Sequence, residues 1–178
     1  MSVDDRLNNI IIREYRDSDF EVCLSLWKGL VQYHIELYKS RPLGGPDPGL
    51  GFKEYLDNPN RKGTWVAEID GKVVGLSGLI VESPAHSDVE PMMVSEEYRG
   101  RGVSAALMKR IVSEAKKAGV WFLSVQPGAR NKAAFNTYVR LGFKNVWTVQ
   151  LIRELNPPEG GGIKWLPGMQ IHDNELSF

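Results

Sequence analysis

Apolar positions along the chain recur with two periods, and the switches between them mark the elements. Ile10 to Arg13 is a short apolar strand. Phe20, Leu24, Trp27, Leu30 and Val31 then repeat at helical spacing, which predicts a long helix from Phe20 to about His34 or Leu37, with Ser18 and Glu21 spaced as a capping box. Arg41 to Gly51 holds three prolines and four glycines and reads as irregular. A short helix through Phe52, Tyr55 and Leu56 returns the chain to Asn58-Pro59. Thr64–Ile69 and Lys72–Val81 flank Asp70-Gly71, a strong hairpin signal. A further strand runs from about Asp88 to Val94, interrupted by Pro91. Proline cannot donate to a ladder, so this strand must be bulged or unpaired near Pro91 and Met92. Leu107, Met108, Ile111, Val112 and Ala115 predict a helix from Gly102 to Ala118, stopped by Gly119. Val120 to Val125 reads as a buried parallel strand that completes a βαβ unit. A helix from Asn131 to Leu141 ends at Gly142, and Phe143 to Leu155 supplies one or two closing strands. Asn156-Pro157-Pro158 and Gly160–Gly162 break the pattern, which divides the chain into a domain of residues 1–155 and a tail of 156–178. That tail carries Ile163, Trp165, Leu166 and Met169 and suits docking into a homodimer or over the chain's own sheet.

Composition narrows the function classes. A chain of 178 residues with 42% apolar and 25% charged positions builds one core of ordinary soluble character. The formal net charge is zero, so no global field draws it to nucleic acid or a membrane, and basic residues must act locally. One cysteine, Cys23, excludes an internal disulfide, and its place on the apolar helix face makes it a core residue. No apolar run reaches membrane-spanning length, and Asp4 and Asp5 near the start do not suit a signal peptide, so the cytoplasm is the expected compartment. His34, His86 and His172 lack ligand spacing, and no metal is expected.

The stretch Val94 to Ala106 carries the chemistry. Gly100 and Gly102 remove side chains where the coming helix leaves its first N–H groups unpaired, and Arg99 and Arg101 add positive charge. This is an anion site suited to a pyrophosphate. A Walker loop is excluded, because no Gly-Lys-Ser/Thr follows a four-residue gap. Gly100-Arg101-Gly102-Val103-Ser104-Ala105 formally fits a dinucleotide fingerprint, but the next strand ends in Ser124 and Gln126, with no acid for a ribose. Arg99-x-x-Gly102-x-Ser104 after Glu97-Tyr98 instead resembles the acyl-coenzyme A pyrophosphate loop of the GNAT superfamily of N-acetyltransferases, with Ser104 where that family more often has Gly or Ala. Asn131, Ala134, Tyr138, Gly142 and Phe143 resemble the second signature of the same family, and the likeness spans roughly residues 10 to 155.

The resemblance implies an α/β GNAT-like fold with a mixed, splayed central sheet and helices on both faces. It implies acetyl-coenzyme A as co-substrate, in a cleft between the bulged strand near Pro91–Val94 and the strand Val120–Val125. Free backbone groups of Met92, Met93 and Val94 would pair with the pantetheine arm, and the segment Arg99, Gly100, Arg101, Gly102, Val103, Ser104 would hold the pyrophosphate. Near Val94 a backbone N–H would polarise the thioester carbonyl, Asn131 would contact the cofactor, and Tyr138 would face the leaving sulfur.

Acid and base roles are bounded by magnitudes. A phenol near ~10 protonating a thiolate near ~8.5 is uphill by roughly 2 kcal/mol, so Tyr138 is expected mainly to donate a hydrogen bond. A carboxylate near ~4.3 facing an ammonium near ~10.4 is mismatched by about 8 kcal/mol, which calls for shifted pKa values or a water relay. Glu90 and Asp88, two apart on one strand, are the candidate bases; the alternative is a solvated strand-edge charge pair. The expected activity is direct acetyl transfer to a primary amine, on a small molecule or a peptide. Arg41–Gly51, Tyr33, Tyr38, Glu82 and His86 are candidates for the acceptor rim. The rival class is a non-catalytic acyl-coenzyme A-binding sensor or interaction module.

Overall fold

The Asp70-Gly71 turn organises the sheet. Both residues take positive φ, 50° and 74°, which matches the right-handed twist of the strands they join, β2 (Arg61–Ile69) and β3 (Lys72–Ser83). In this computed structural model, which describes residues 9–38 and 47–148, the strands run in the order β1-β2-β3-β4-β5. β1 (Ile11–Glu14), β2, β3 and β4 (His86–Val94) are antiparallel neighbours. β5 (Leu123–Ser124) is parallel to β4 and meets it only at Ser87↔Leu123 and Asp88↔Ser124. Beyond those two pairs the β4 edge has no strand partner among the described residues, so the mixed sheet is open there as expected.

Helices cover both faces. On one face α1 (Phe20–Tyr38) and α2 (Pro48–Leu56) pack Cys23, Phe52 and Tyr55 against Val66, Leu76, Ile80 and Met93. On the other, α3 (Val103–Lys117) packs Val103, Leu107, Met108, Ile111 and Ala115 against Trp65, Ala67, Val74, Leu79 and Val89. Tyr138 of α4 (Lys132–Arg140), with Leu141 and Phe143 after it, joins this second cluster. Among the described residues no helix is long and apolar enough to cross a membrane.

Several expectations are corrected. The Ser18–Glu21 capping box is not formed; the Asp19 carboxylate instead accepts from the Arg16 N–H at 2.9 Å, ahead of a 3-10 turn at Asp17–Asp19 that leads into α1. Pro48 does not belong to an irregular stretch but starts α2, where its missing N–H costs nothing, and the Asp47 carboxylate caps that helix through the Gly49 N–H at 2.8 Å. Val120–Val125 is not a buried strand. Only Leu123–Ser124 pairs, while Trp121 and Phe122 are 73% and 61% exposed and donate their backbone N–H groups to the Pro84 carbonyl. Residues 143–148 form no strand; the rest of the expected closing strands and the 156–178 tail lie outside the described residues.

Arg13 ties β1 to the 3-10 turn ahead of α1 and to β2. Arg13 donates two hydrogen bonds to Asp19, at 2.7 and 2.9 Å, and a third to Glu68 at 2.8 Å. Asp19 is 5% exposed, and the Arg13 hydrogen bond holds its carboxyl below the usual carboxylate range despite the opposing effect of burial. A depressed folded pKa means stability present above the unfolded value near ~3.9 and lost as pH falls through the folded one. Asp19→Asn is therefore expected to cost about 2–4 kcal/mol at pH 7, since it leaves a half-buried guanidinium short of its partner. Urea denaturation should show the gap between parent and variant closing below about pH 4.

Candidate active site

The bulge forms where expected. Ser77 pairs with Met92 but Leu79 with Val89, so Glu90 and Pro91 together oppose the single residue Gly78. Gly78 is required there, because a Cβ would lie 2.6 Å from the Glu90 carbonyl oxygen and would run into the Tyr55 hydroxyl. The extra residue inverts the side-chain alternation of β4. Before it, Val89 faces α3; after it, Met93 faces α1 and α2, while Met92 and Val94 turn to the α3 side. The Pro91 carbonyl accepts a hydrogen bond from the buried Ser77 hydroxyl at 2.8 Å.

Register shows which backbone groups are free. Ser95 N–H donates to the Val74 carbonyl at 2.8 Å, which makes Gly75↔Val94 a non-hydrogen-bonded pair. Val94 N–H and C=O therefore point away from β3, and so, two residues earlier, do those of Met92. Met93, between them, directs its backbone groups toward Leu76 and its side chain into the core. The Val94 carbonyl accepts from Arg99 Nε at 3.3 Å, and its N–H is left on the open edge.

The glycine-containing loop lies immediately beyond. A 3-10 turn at Glu96–Tyr98 precedes it, and Gly100 and Gly102 adopt left-handed backbone, φ 74° and 89°. Gly102 is the N-cap of α3, and its carbonyl accepts from Ala106 at 3.0 Å. The N–H groups of Val103, Ser104 and Ala105 thus stand at the positive end of a 15-residue helix whose first turn carries no acid. The Val103 side chain is buried in the core, so only its backbone N–H is available. Two aromatic rings steady the arginines: Arg99 lies 5.6 Å from the centroid of Tyr33 on α1, and Arg101 lies 5.1 Å from that of Tyr98.

The remaining candidates occupy different surroundings. Tyr138 packs edge-on to Phe143 with ring centroids 5.9 Å apart, and burial pushes its phenol up to about 12. Its hydroxyl takes part in none of the hydrogen bonds among the described residues. Asn131 is 7% exposed and spends its side-chain oxygen on the Ala134 N–H at 3.0 Å as the N-cap of α4. Asp88 accepts from the Ser124 hydroxyl across the last β4–β5 rung and lies 3.8 Å from His86, which also contacts Glu82 at 2.9 Å. Glu90 is otherwise placed. Its side chain is exposed, and partial desolvation, then the charge of Asp88, push its pKa above the usual carboxylate value. It opens onto a cavity of about 280 Å³ together with Trp27, Gly51, Glu54, Tyr55, Asn58 and Ile80.

Sequence reasoning missed that cavity and two braces from α1. Trp27 and Tyr55 read only as apolar helix positions, and Glu54 carries no signal in the sequence, because nothing local says that α2 folds back over the bulge. Tyr38 accepts a hydrogen bond from the Arg130 N–H at 3.0 Å and stacks beneath that guanidinium at 5.8 Å. A Cβ on Gly128 would lie 2.7 Å from the same hydroxyl. Burial pushes the Cys23 thiol up to about 12, as befits an inert core residue.

β4 and β5 thus part after two residue pairs, beside a glycine-marked helix start. The model of the acetyltransferase (GNAT) family matches residues 27–143, and the chain belongs to that family. An uncharacterised N-acetyltransferase of Methanocaldococcus jannaschii is 26% identical over 140 residues, 75% of this chain and 58% of that protein. The chain covers smaller shares, 37% and 43%, of two further curated relatives, so it spans under half their length. Among solved structures, the ribosomal-protein-S18-alanine N-acetyltransferase of Escherichia coli superposes with a TM-score of 0.61 at 19% identity, over 86% of this chain and 88% of that one. An aminoglycoside N-acetyltransferase, AAC(6')-Iy, solved with a coenzyme A bisubstrate analogue, gives 0.60 at 19% identity, over 82% and 97%. At these identities the structural likeness concerns the fold.

Proposed function

We propose that the protein transfers an acetyl group from acetyl-coenzyme A directly to a primary amine. The observation that carries this reading is the open β4 edge at Met92 and Val94 running straight into the unpaired amides of Val103, Ser104 and Ala105. An amide-rich pantetheine arm pairs with the edge as an added strand, and the pyrophosphate sits at the helix start with Arg99 and Arg101 beside it. The Val94 N–H then lies where it can donate to the thioester oxygen as charge develops there. Asn131 serves by holding α4, and with it Tyr138, against the cleft.

In the reaction the acceptor ammonium gives one proton to Glu90, directly or through water. The freed nitrogen lone pair forms the C–N bond, the C–S bond breaks, and the second nitrogen proton passes to the departing thiolate. Glu90's raised pKa narrows the mismatch of about 8 kcal/mol between an ordinary carboxylate and an alkylammonium. Asp88 acts through Glu90 by adding negative charge to its face, its own carboxylate being engaged by Ser124.

The deciding experiment is release of free coenzyme A thiol across a panel of small amines and peptides, with products identified by mass spectrometry. Tight coenzyme A binding without thiol release from any amine would instead favour a non-catalytic acyl-coenzyme A sensor. With a working acceptor, the acid limb of kcat/KM is expected to lie above the ordinary carboxylate pKa of ~4.3 and to disappear in Glu90→Gln. A carboxyl whose folded pKa is raised loses stability as pH rises through that value. Glu90→Gln should accordingly melt no lower than the parent at pH 7.

A further inference from the structure

The cavity beside the bulge has a chemical character that names a class of acceptor. Its described lining includes two carboxylates, Glu54 and Glu90, and no lysine, arginine or histidine. Asp88, two residues before Glu90 on the same face of β4, adds a third negative charge nearby. Desolvation, then the charge of Asp88, raises Glu90's pKa, and the second of these reflects the excess of negative charge here. Trp27, Tyr55 and Ile80 supply apolar lining to the same cavity. Tyr55 offers its ring and not its hydroxyl, which is engaged by the Thr64 hydroxyl at 2.6 Å. Trp27 and Tyr55 stack with centroids 6.0 Å apart, and Gly51 lets Trp27 lie against the α2 backbone, where a Cβ would come within 3.3 Å of its ring.

We propose that this cavity binds a small acceptor bearing two amino groups joined by an apolar segment, with one ammonium held at Glu54 while the other amine is acetylated beside Glu90. The proposal rests on the acetyl-transfer reading and specifies its substrate. A volume of about 280 Å³ lies at the small end of ligand sites, which suits a short chain in place of a folded partner. Methylene groups pack on the Trp27 and Tyr55 rings, and an ammonium near those rings gains cation–π attraction. A monoamine leaves one carboxylate uncompensated, whereas a dication neutralises both. Acetylation turns one ammonium into a neutral amide, so the product gives up the Glu90 pairing and leaves more readily than the substrate.

The test compares 1,5-diaminopentane with 1-aminopentane in steady-state kinetics on the parent protein and on Glu54→Gln, an exposed position on α2 where glutamine is readily accommodated. The parent is expected to favour the diamine at least tenfold in kcat/KM. Glu54→Gln should bring that ratio close to one by lowering kcat/KM for the diamine. Equal use of both amines by the parent, or a diamine preference that survives Glu54→Gln, would overturn the proposal. Calorimetry with N,N,N′,N′-tetramethyl-1,5-diaminopentane, a dication that forms no stable amide, separates the pocket from the chemistry. Binding that weakens at least tenfold in Glu54→Gln supports the diamine pocket even if no amine releases thiol, in which case the acetyl-transfer reading alone fails. No binding of this probe to the parent, with coenzyme A present or absent, would remove the pocket assignment.

Discussion

A Gly102→Asp protein is expected to fold and yet to lose affinity for acetyl-coenzyme A by about a thousandfold. Gly102 is the N-cap of α3 at φ 89°, a conformation that aspartate tolerates better than most residues, and aspartate is itself a favourable N-cap. The helix thus keeps its start, at a backbone cost of about 1 kcal/mol. The ligand fares differently. A carboxylate placed at the unpaired amides of Val103 to Ala105 accepts their hydrogen bonds and stands in the path of the pyrophosphate. Two like charges about 4 Å apart repel by about 4 kcal/mol at an effective dielectric of about 20, which is close to three decades in affinity. Gly102→Asn has the same shape without the charge and should stay within about tenfold of the parent. Calorimetric titration of both variants, with circular dichroism as a folding control, checks the expectation. An unchanged Kd in a folded Gly102→Asp protein would mean that the phosphates bind elsewhere.

Tyr138→Phe is expected to slow the chemical step about ten- to a hundredfold with little change in coenzyme A affinity. Burial lifts the phenol to about 12, so full proton transfer to a thiolate near ~8.5 is uphill by about 5 kcal/mol. In the proposed mechanism the hydroxyl instead donates a hydrogen bond to the departing sulfur. Such a bond to a charged group contributes about 1.5–3 kcal/mol, which sets the size of the loss. Phenylalanine keeps the edge-on contact with Phe143 and the packing against the α3 cluster, so melting should hardly move. Single-turnover acetyl transfer with the established acceptor measures the step directly. A rate equal to the parent's would leave Tyr138 a packing residue and assign the catalysis to the β4 amides and Glu90.

Much of the architecture was legible because it is written in local patterns. Asp70-Gly71 announces its turn through the positive φ that both positions require, Pro91 announces the bulge by lacking a ladder donor, and Gly119 and Gly142 end their helices at φ 72° and 105°. The glycine-containing loop was legible for the same reason, since helix starts and glycine spacing are matters of a few adjacent residues. Pro48 was misread because the same residue breaks a helix interior and starts a helix at its first turn, and only Asp47's side chain on Gly49 decides between them. Val120–Val125 was misread because an apolar run signals burial whether or not the sheet extends to cover it.

By itself the sequence determined the order of strands and helices, the place of the bulge and the glycine-marked helix start, because each depends on backbone preferences and periodicity within one segment. Tertiary structure alone decided which faces those segments share. The bulge inverts the alternation of β4, so Glu90 turns toward α1 and α2 while Met92 and Val94 turn to α3. α2 then folds back to set Glu54 and Tyr55 beside Trp27, and Tyr33 of α1 reaches the loop through Arg99. Those meetings join residues far apart in the chain through packing that is nonlocal and carries no spacing of its own, which is why the cavity beside the bulge had no signature along the sequence.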